Sequence, residues 1–238
     1  LNALDTAQRH FGRVSIDLIY ALPEQTQAAW EAELSRAIGF GTDHLSLYQL
    51  TFDPGSRFAT MVAKGYFTPV HAHTGADLFD MTRTMTAAVG LPAYEISNHA
   101  RAGSESRHNL TYWRYGDYAG IGPGAHGRRN ALATLRHKKP ENWMDAVHRN
   151  SHGAQSEDAL TPQERAREAL VMGLRLAEGI TPAALAARCG VSEDALFRAD
   201  MVETLIGLKL IWRQSARLGL TDTGFPVLDR ILAEIVAI

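Results

Sequence analysis

Cysteine is almost absent from the sequence: Cys189 stands alone among 238 residues. One thiol excludes an intramolecular disulfide and any multi-thiolate metal site drawn from this chain alone. An excess of one charge is also lacking. With 24 Lys plus Arg against 26 Asp plus Glu, the balance gives no electrostatic case for nucleic acid or an anionic membrane, and no nucleic-acid partner is expected. Long hydrophobic runs are missing as well. No stretch approaches the ~20 apolar residues of a bilayer span, and the first residues lack the charged start and apolar middle of a signal peptide. The expectation is a soluble, cytoplasmic protein with no transmembrane segment. There is no initial Met: the chain opens at Leu1 inside an amphipathic pattern with Leu4 and Phe11, as a piece of a longer protein would.

Hydrophobic side chains make up 45% of the sequence, enough to bury one large core or a core and a small satellite domain. After the opening helix, residues 14–20 form a run rich in β-branched and apolar residues that ends at Leu22-Pro23. A turn with Pro23 and Thr26 leads into a helix in which Trp30, Leu34, Ala37 and Ile38 share a face, and a second strand spans 44–51. Strand, helix and strand at this spacing make a βαβ unit and an α/β fold whose sheet needs further strands to close. Residues 55–69 read as an excursion, 76–89 as a helix stopped by Gly90-Leu91-Pro92, and 94–97 as a candidate third strand.

From residue 98 to 127 the chain is dense in Gly, His, Asn and aromatics, the composition of ligand-binding loops. A basic stretch follows, with Arg128, Arg129, Arg136, His137, Lys138 and Lys139. It suits carboxylates, although such runs are more often solvated loops. Residues 151–158 are polar and read as a linker. Thr161-Pro162-Gln163-Glu164 resembles a capping box that opens a helix through 177. Short helices at 182–189, 193–197 and 201–208, a ribbon of 210–213 with 218–221 and a closing helix at 227–236 suit a small winged-helix-like domain. The expected division is residues 1–150 and 151–238.

Asp17 places a carboxylate within an apolar strand, where an unpaired buried charge is costly. It reads either as a polar ligand at the C-terminal end of a barrel strand or as a buried carboxylate that caps a neighbouring loop or pairs with an Arg. His108, with Tyr112 and Trp113 close behind, can offer an imidazole to a metal beside flat aromatic faces, or the same residues can lock a loop. The Gly120 to Gly127 run offers unobstructed backbone N–H groups to an anion, or it is a turn tightened for packing. His71 and His73 have metal-like spacing without further ligands nearby and read as surface histidines. Residues 183–192 have the small-residue, Gly-turn look of a helix-turn-helix, a DNA-binding alternative opposed by the lack of a basic surplus around it.

The stretch from Asp17 to Thr26, Asp-Leu-Ile-Tyr-Ala-Leu-Pro-Glu-Gln-Thr, resembles a signature of the oxygen-independent coproporphyrinogen oxidase family, with Ala21 for the usual Gly. The likeness continues in order through residues 44–50, 94–98, 108–113, 120–126 and 172–176, then Gly179-Ile180. It implies part of a TIM-type radical S-adenosylmethionine barrel followed by a smaller helical domain. In such proteins the barrel holds a [4Fe-4S] cluster and S-adenosylmethionine. The motifs place Asp17, Thr51 and His126 at positions that contact S-adenosylmethionine, although the side chains at 51 and 126 differ from those of the oxidases. The segment His108-Asn109-Leu110-Thr111-Tyr112-Trp113 is typical of the heme-chaperone branch. The resemblance therefore implies a protein that binds heme or a porphyrin and passes heme to an acceptor protein, with oxidative decarboxylation of a porphyrinogen as the alternative. His108, Asn109, Tyr112 and Trp113 are the implied heme residues, His108 the implied iron ligand, and His99 and His126 the reserves.

Cluster chemistry in that family needs three cysteines spaced Cys-x3-Cys-x2-Cys, and one cysteine cannot supply them. No catalytic residue is assigned. The polypeptide is expected to be catalytically inert, with its cluster-binding part elsewhere.

Overall fold

A computed structural model describes residues 2–52 and 55–237; Leu1 lies outside the described residues. The chain forms two compact units, residues 1–106 and 107–238. The division expected at 150/151 falls inside the second unit.

In the first unit, α1 (Asn2–His10) precedes β1 (Ser15–Tyr20), α2 (Gln27–Ile38) and β2 (His44–Gln49). Thr26 caps α2 with a side chain that accepts from the Ala29 N–H at 3.2 Å, so the Thr after the Pro-containing turn starts the helix. β1 and β2 pair in parallel, with Asp17 opposite Ser46, as a strand–helix–strand crossover requires. The excursion contains a short helix, α3 (Arg57–Ala63), and α4 (Ala72–Ala88) follows.

Alternation along β1 and β2 sends Ile16, Leu18, Tyr20, Leu45 and Leu47 to one face, where they pack with Trp30, Leu34 and Leu78 of the helices. Tyr20 and Trp30 stack with centroids 5.1 Å apart, and the Trp30 indole N–H donates to the Thr82 hydroxyl at 2.8 Å. Burying each such large side chain stabilises by ~1.5–3 kcal/mol, so this face fixes the register of the unit.

The third strand is not at 94–97. It is β3 (Asn98–Ala100), antiparallel to β2 with Ser46 opposite Asn98. The Glu95 carboxylate holds the preceding residues in a turn, accepting from the Ser97 N–H at 3.1 Å and from the Asn98 side-chain amide. Extended pairing is therefore postponed to Asn98. The resulting sheet, ordered β1-β2-β3, is open.

The second unit begins with α5 (Arg107–Trp113), so the segment expected as a loop is a helix of about two turns. Next come β4 (His126–Arg129), β5 (Leu132–Arg136), α6 (Pro140–Asn150) and β6 (Ala154–Ala159). The three strands form an antiparallel sheet, and the polar segment read as a linker is its edge strand. Backbone hydrogen bonds to β5 hold β6 even though most of its side chains face solvent.

The remainder follows the expected order: α7 (Pro162–Gly173), α8 (Pro182–Cys189), α9 (Ala199–Gly207), the β7 (Ile211–Gln214) and β8 (Arg217–Leu220) ribbon, and α10 (Leu228–Ile235). The capping box forms at Thr161 and Glu164. α7 stops at Gly173, earlier than expected, and the absence of a side chain there lets Ile180 pack against the helix end. α10 buries Leu228, Ile231, Leu232 and Ile235, one stripe at helical spacing.

Candidate functional site

The site is built on α5. His108 and Tyr112 lie one turn apart, and their rings meet edge to face with centroids 4.6 Å apart. Tyr112 in turn meets the Tyr118 ring edge to face at 4.4 Å. His108 is exposed at the outer end of this ladder. The helix terminates because Tyr115 turns into the left-handed region at φ 53°, which lets the Gly116 N–H reach back to the Thr111 carbonyl at 2.7 Å.

Trp113 points elsewhere. Its indole N–H is buried without an acceptor among the described residues, and the Arg175 guanidinium lies over its ring at 5.9 Å. Asn109 is partly buried on the same helix. The four residues of the motif thus share one helix, but among them only His108 and Tyr112 meet ring to ring.

Beneath the ladder sits a charged knot that sequence reasoning missed. The Arg128 guanidinium donates twice to Glu168, and the Tyr115 hydroxyl donates to the same carboxylate at 2.8 Å. Arg128 holds the Glu168 carboxyl below the usual range. Burial and the Glu168 hydrogen bond push the Tyr115 phenol up, and burial raises Tyr118 too. Arg128 is therefore occupied, and of the basic run it is not available to a carboxylate ligand. No sequence spacing links residues 115, 128 and 168; only the fold brings them together.

The glycine run is a packing device. A Cβ at Gly120 would lie 2.3 Å from the His126 carbonyl oxygen, and the Gly124 N–H already donates to the His137 carbonyl at 2.9 Å. His126 is exposed at the start of β4, opposite Leu135.

In the first unit, Asp17 is exposed, contrary to the buried setting expected from its apolar neighbours. Those neighbours alternate onto the helix-covered face, which leaves Asp17 on the opposite face, on the edge strand of the sheet. There the register sets Asp17, Ser46 and Asn98 in one row across the three strands. The row contains a buried acceptor, Asn98 Oδ1, with no partner among the described residues. The buried Glu95 beside it has its carboxyl raised by desolvation. Thr51 is exposed just beyond β2.

His99 is not a reserve ligand. It is 1% exposed, it shares a 2.8 Å hydrogen bond with Thr86, and burial lowers its pKa to about 3. His73 is on the surface, 3.9 Å from Asp77. No group of three or more His, Cys, Asp or Glu among the described residues could hold a metal ion. No helix among them is long and apolar enough to cross a membrane.

Residues 160–227 match the HemN C-terminal domain. The chain is 38% identical over 190 residues to the Radical S-adenosyl methionine domain-containing protein 1, mitochondrial, of Bos taurus, covering 76% of this chain and 43% of that protein. It is 30% identical over 214 residues to the heme chaperone HemW of Bacillus subtilis, covering 90% of this chain and 56% of that one.

The chain belongs to the HemN/HemW-type superfamily of radical-SAM proteins. Its fold agrees: the coproporphyrinogen III oxidase HemN of Escherichia coli superposes with a TM-score of 0.74 at 17% identity, over 98% of this chain and 57% of that one. The α/β architecture with an open sheet and a small helical C-terminal part is thus that of the HemN fold. The chain spans about half the length of the curated relatives it matches. The donor set for a cluster of the HemN/HemW type does not fit within it, because its one cysteine is the buried Cys189.

Proposed function

We propose that the protein is a heme chaperone in which His108 presents its imidazole to the heme iron. The observation that carries this reading is the exposed His108 ring at the open end of the His108–Tyr112–Tyr118 ladder. An exposed imidazole can ligate iron, and the edge contact with Tyr112 limits its rotation without covering it. Supporting it is the number of matched relatives that are named heme chaperones, the Bacillus protein among them.

The cluster of the whole protein is drawn from residues outside this chain, and no radical step is assigned to it. For S-adenosylmethionine we retain Asp17 and Thr51 as proposed contacts within the first unit. The unpartnered Asn98 Oδ1, in the same row as Asp17 but across Ser46, suits a ligand that donates hydrogen bonds. We also propose that heme passes to an acceptor protein, and that this takes place in the cytoplasm.

Heme titration of the 238-residue chain, followed at the Soret band, tests the reading. Saturable binding with a histidine-ligated spectrum, lost in His108→Ala, is the expected result. Equal spectra for both proteins would overturn the role of His108.

A further inference from the structure

The inner end of the aromatic ladder opens into a pocket of about 230 Å³. Tyr112 and Tyr118 form its aromatic wall, Val171 and Met172 of α7 its apolar floor, and Arg167 stands at its rim. Sites that enclose a whole small molecule are larger, ~300–1,000 Å³, so this pocket takes the edge of a large planar ligand rather than all of it.

Its two cations are not equivalent. Arg128 is bound twice to Glu168. Arg167 is exposed and has no ion pair or hydrogen bond among the described residues. The pocket thus combines flat aromatic surface, an aliphatic floor and one uncommitted guanidinium at the mouth. That set matches a flat apolar ring bearing a peripheral carboxylate.

Resting on the reading of His108 above, we infer that one edge of the porphyrin seats in this pocket, against Val171 and Met172, with Arg167 pairing a propionate. Tyr112 links the two ends: one side of its ring meets His108, and the ring also lines the pocket. The ladder therefore sets the iron-binding imidazole and the pocket on a single aromatic residue.

Soret titrations of the chain and three variants, with heme and with heme dimethyl ester, separate this inference from the reading it rests on. Val171→Trp fills the pocket and weakens heme binding by roughly tenfold, while the histidine-ligated spectrum of the bound fraction is kept. Arg167→Gln, a surface change that spares folding, weakens heme several-fold and leaves the ester unchanged, because the ester has no carboxylate to pair. His108→Ala loses both ligands. If both pocket variants bind heme as the parent does while His108→Ala does not, the pocket inference is overturned and His108 stands. If the parent binds no heme, or His108→Ala binds it equally, the reading itself fails. An Arg167→Gln effect of equal size on heme and ester overturns the propionate assignment.

Discussion

Arg128 holds Glu168 through two hydrogen bonds, Nε to Oε2 at 2.9 Å and Nη2 to Oε1 at 2.8 Å, with both side chains less than a third exposed. Breaking a fully buried pair of this kind costs ~3–5 kcal/mol. Here solvent reaches both partners, so Arg128→Ala is expected to destabilise by about 2 kcal/mol. Urea unfolding at neutral pH measures it. Because Glu168 is held below its ordinary range, its contribution is present above the unfolded carboxyl pKa and is lost as pH falls through the lowered value. The penalty of Arg128→Ala should therefore shrink in acid, and a penalty independent of pH would contradict the pairing.

His99 gives a second pH signature with its own window. Its folded pKa is lowered to about 3 by burial, against ~6.5 in the unfolded chain. Between those values the unfolded state binds a proton that the folded state refuses. Stability then falls as pH drops from about 6.5 towards 3, by up to ~1.4 kcal/mol per pH unit. His44, also lowered mainly by burial, acts in the same direction. Glu95, raised by burial, opposes both, because its folded form keeps a proton that the unfolded form has lost. Comparison with His99→Gln isolates the single histidine: the variant should show a flatter slope between pH 4 and 6. An unchanged slope would mean that the ring is not buried in its neutral form.

Ala21 occupies φ 58° while 2% exposed, a conformation in which a side chain costs ~1–2 kcal/mol. Glycine would relieve that strain but lose ~0.5–1 kcal/mol to chain entropy and one buried methyl of about 0.8 kcal/mol. The sum is close to zero, so Ala21→Gly should move stability by less than about 1 kcal/mol. Ala21→Val adds β-branching to the same strain and should cost more than about 2 kcal/mol. Thermal unfolding of the pair checks the contrast.

Gly120→Ala places a methyl 2.3 Å from the His126 carbonyl oxygen. A backbone atom cannot swing aside as a side chain can, so a loss of about 2 kcal/mol or more is expected. Amide exchange should quicken along β4. A fully tolerated substitution would show that the loop is not close-packed.

The parts that were legible in the sequence are those governed by local rules. The stripe of Trp30, Leu34 and Ala37, the capping box at Thr161 and the ribbon of β7 and β8 all follow from spacing within one element. The parts that were not legible depend on distant partners. Ala154 to Ala159 has no apolar alternation, and it becomes a strand only because β5 offers a backbone to pair with. The third strand moved because one carboxylate, Glu95, organises a turn that no propensity announces. Asp17 looked buried because its neighbours in sequence are apolar, but strand alternation sends them to the other face and β1 lies at the edge of the sheet.

In the candidate site, the motif drew attention to His108 and Tyr112, and their ring contact depends on a helix where a loop was expected. The division of labour among their neighbours was not legible. Trp113 turned inward, and Arg128 was claimed by Glu168, forty residues away.

Cys189 has a consequence for watching this protein move. Its thiol is fully buried at the end of α8, and burial keeps it protonated. A bulky alkylating reagent reaches a thiol in that position only when the surrounding packing opens. With no second cysteine to compete, the rate of covalent labelling is a single-site stopwatch for the opening of the second unit. No engineered label is needed to read it, and ligand binding to that unit should slow it.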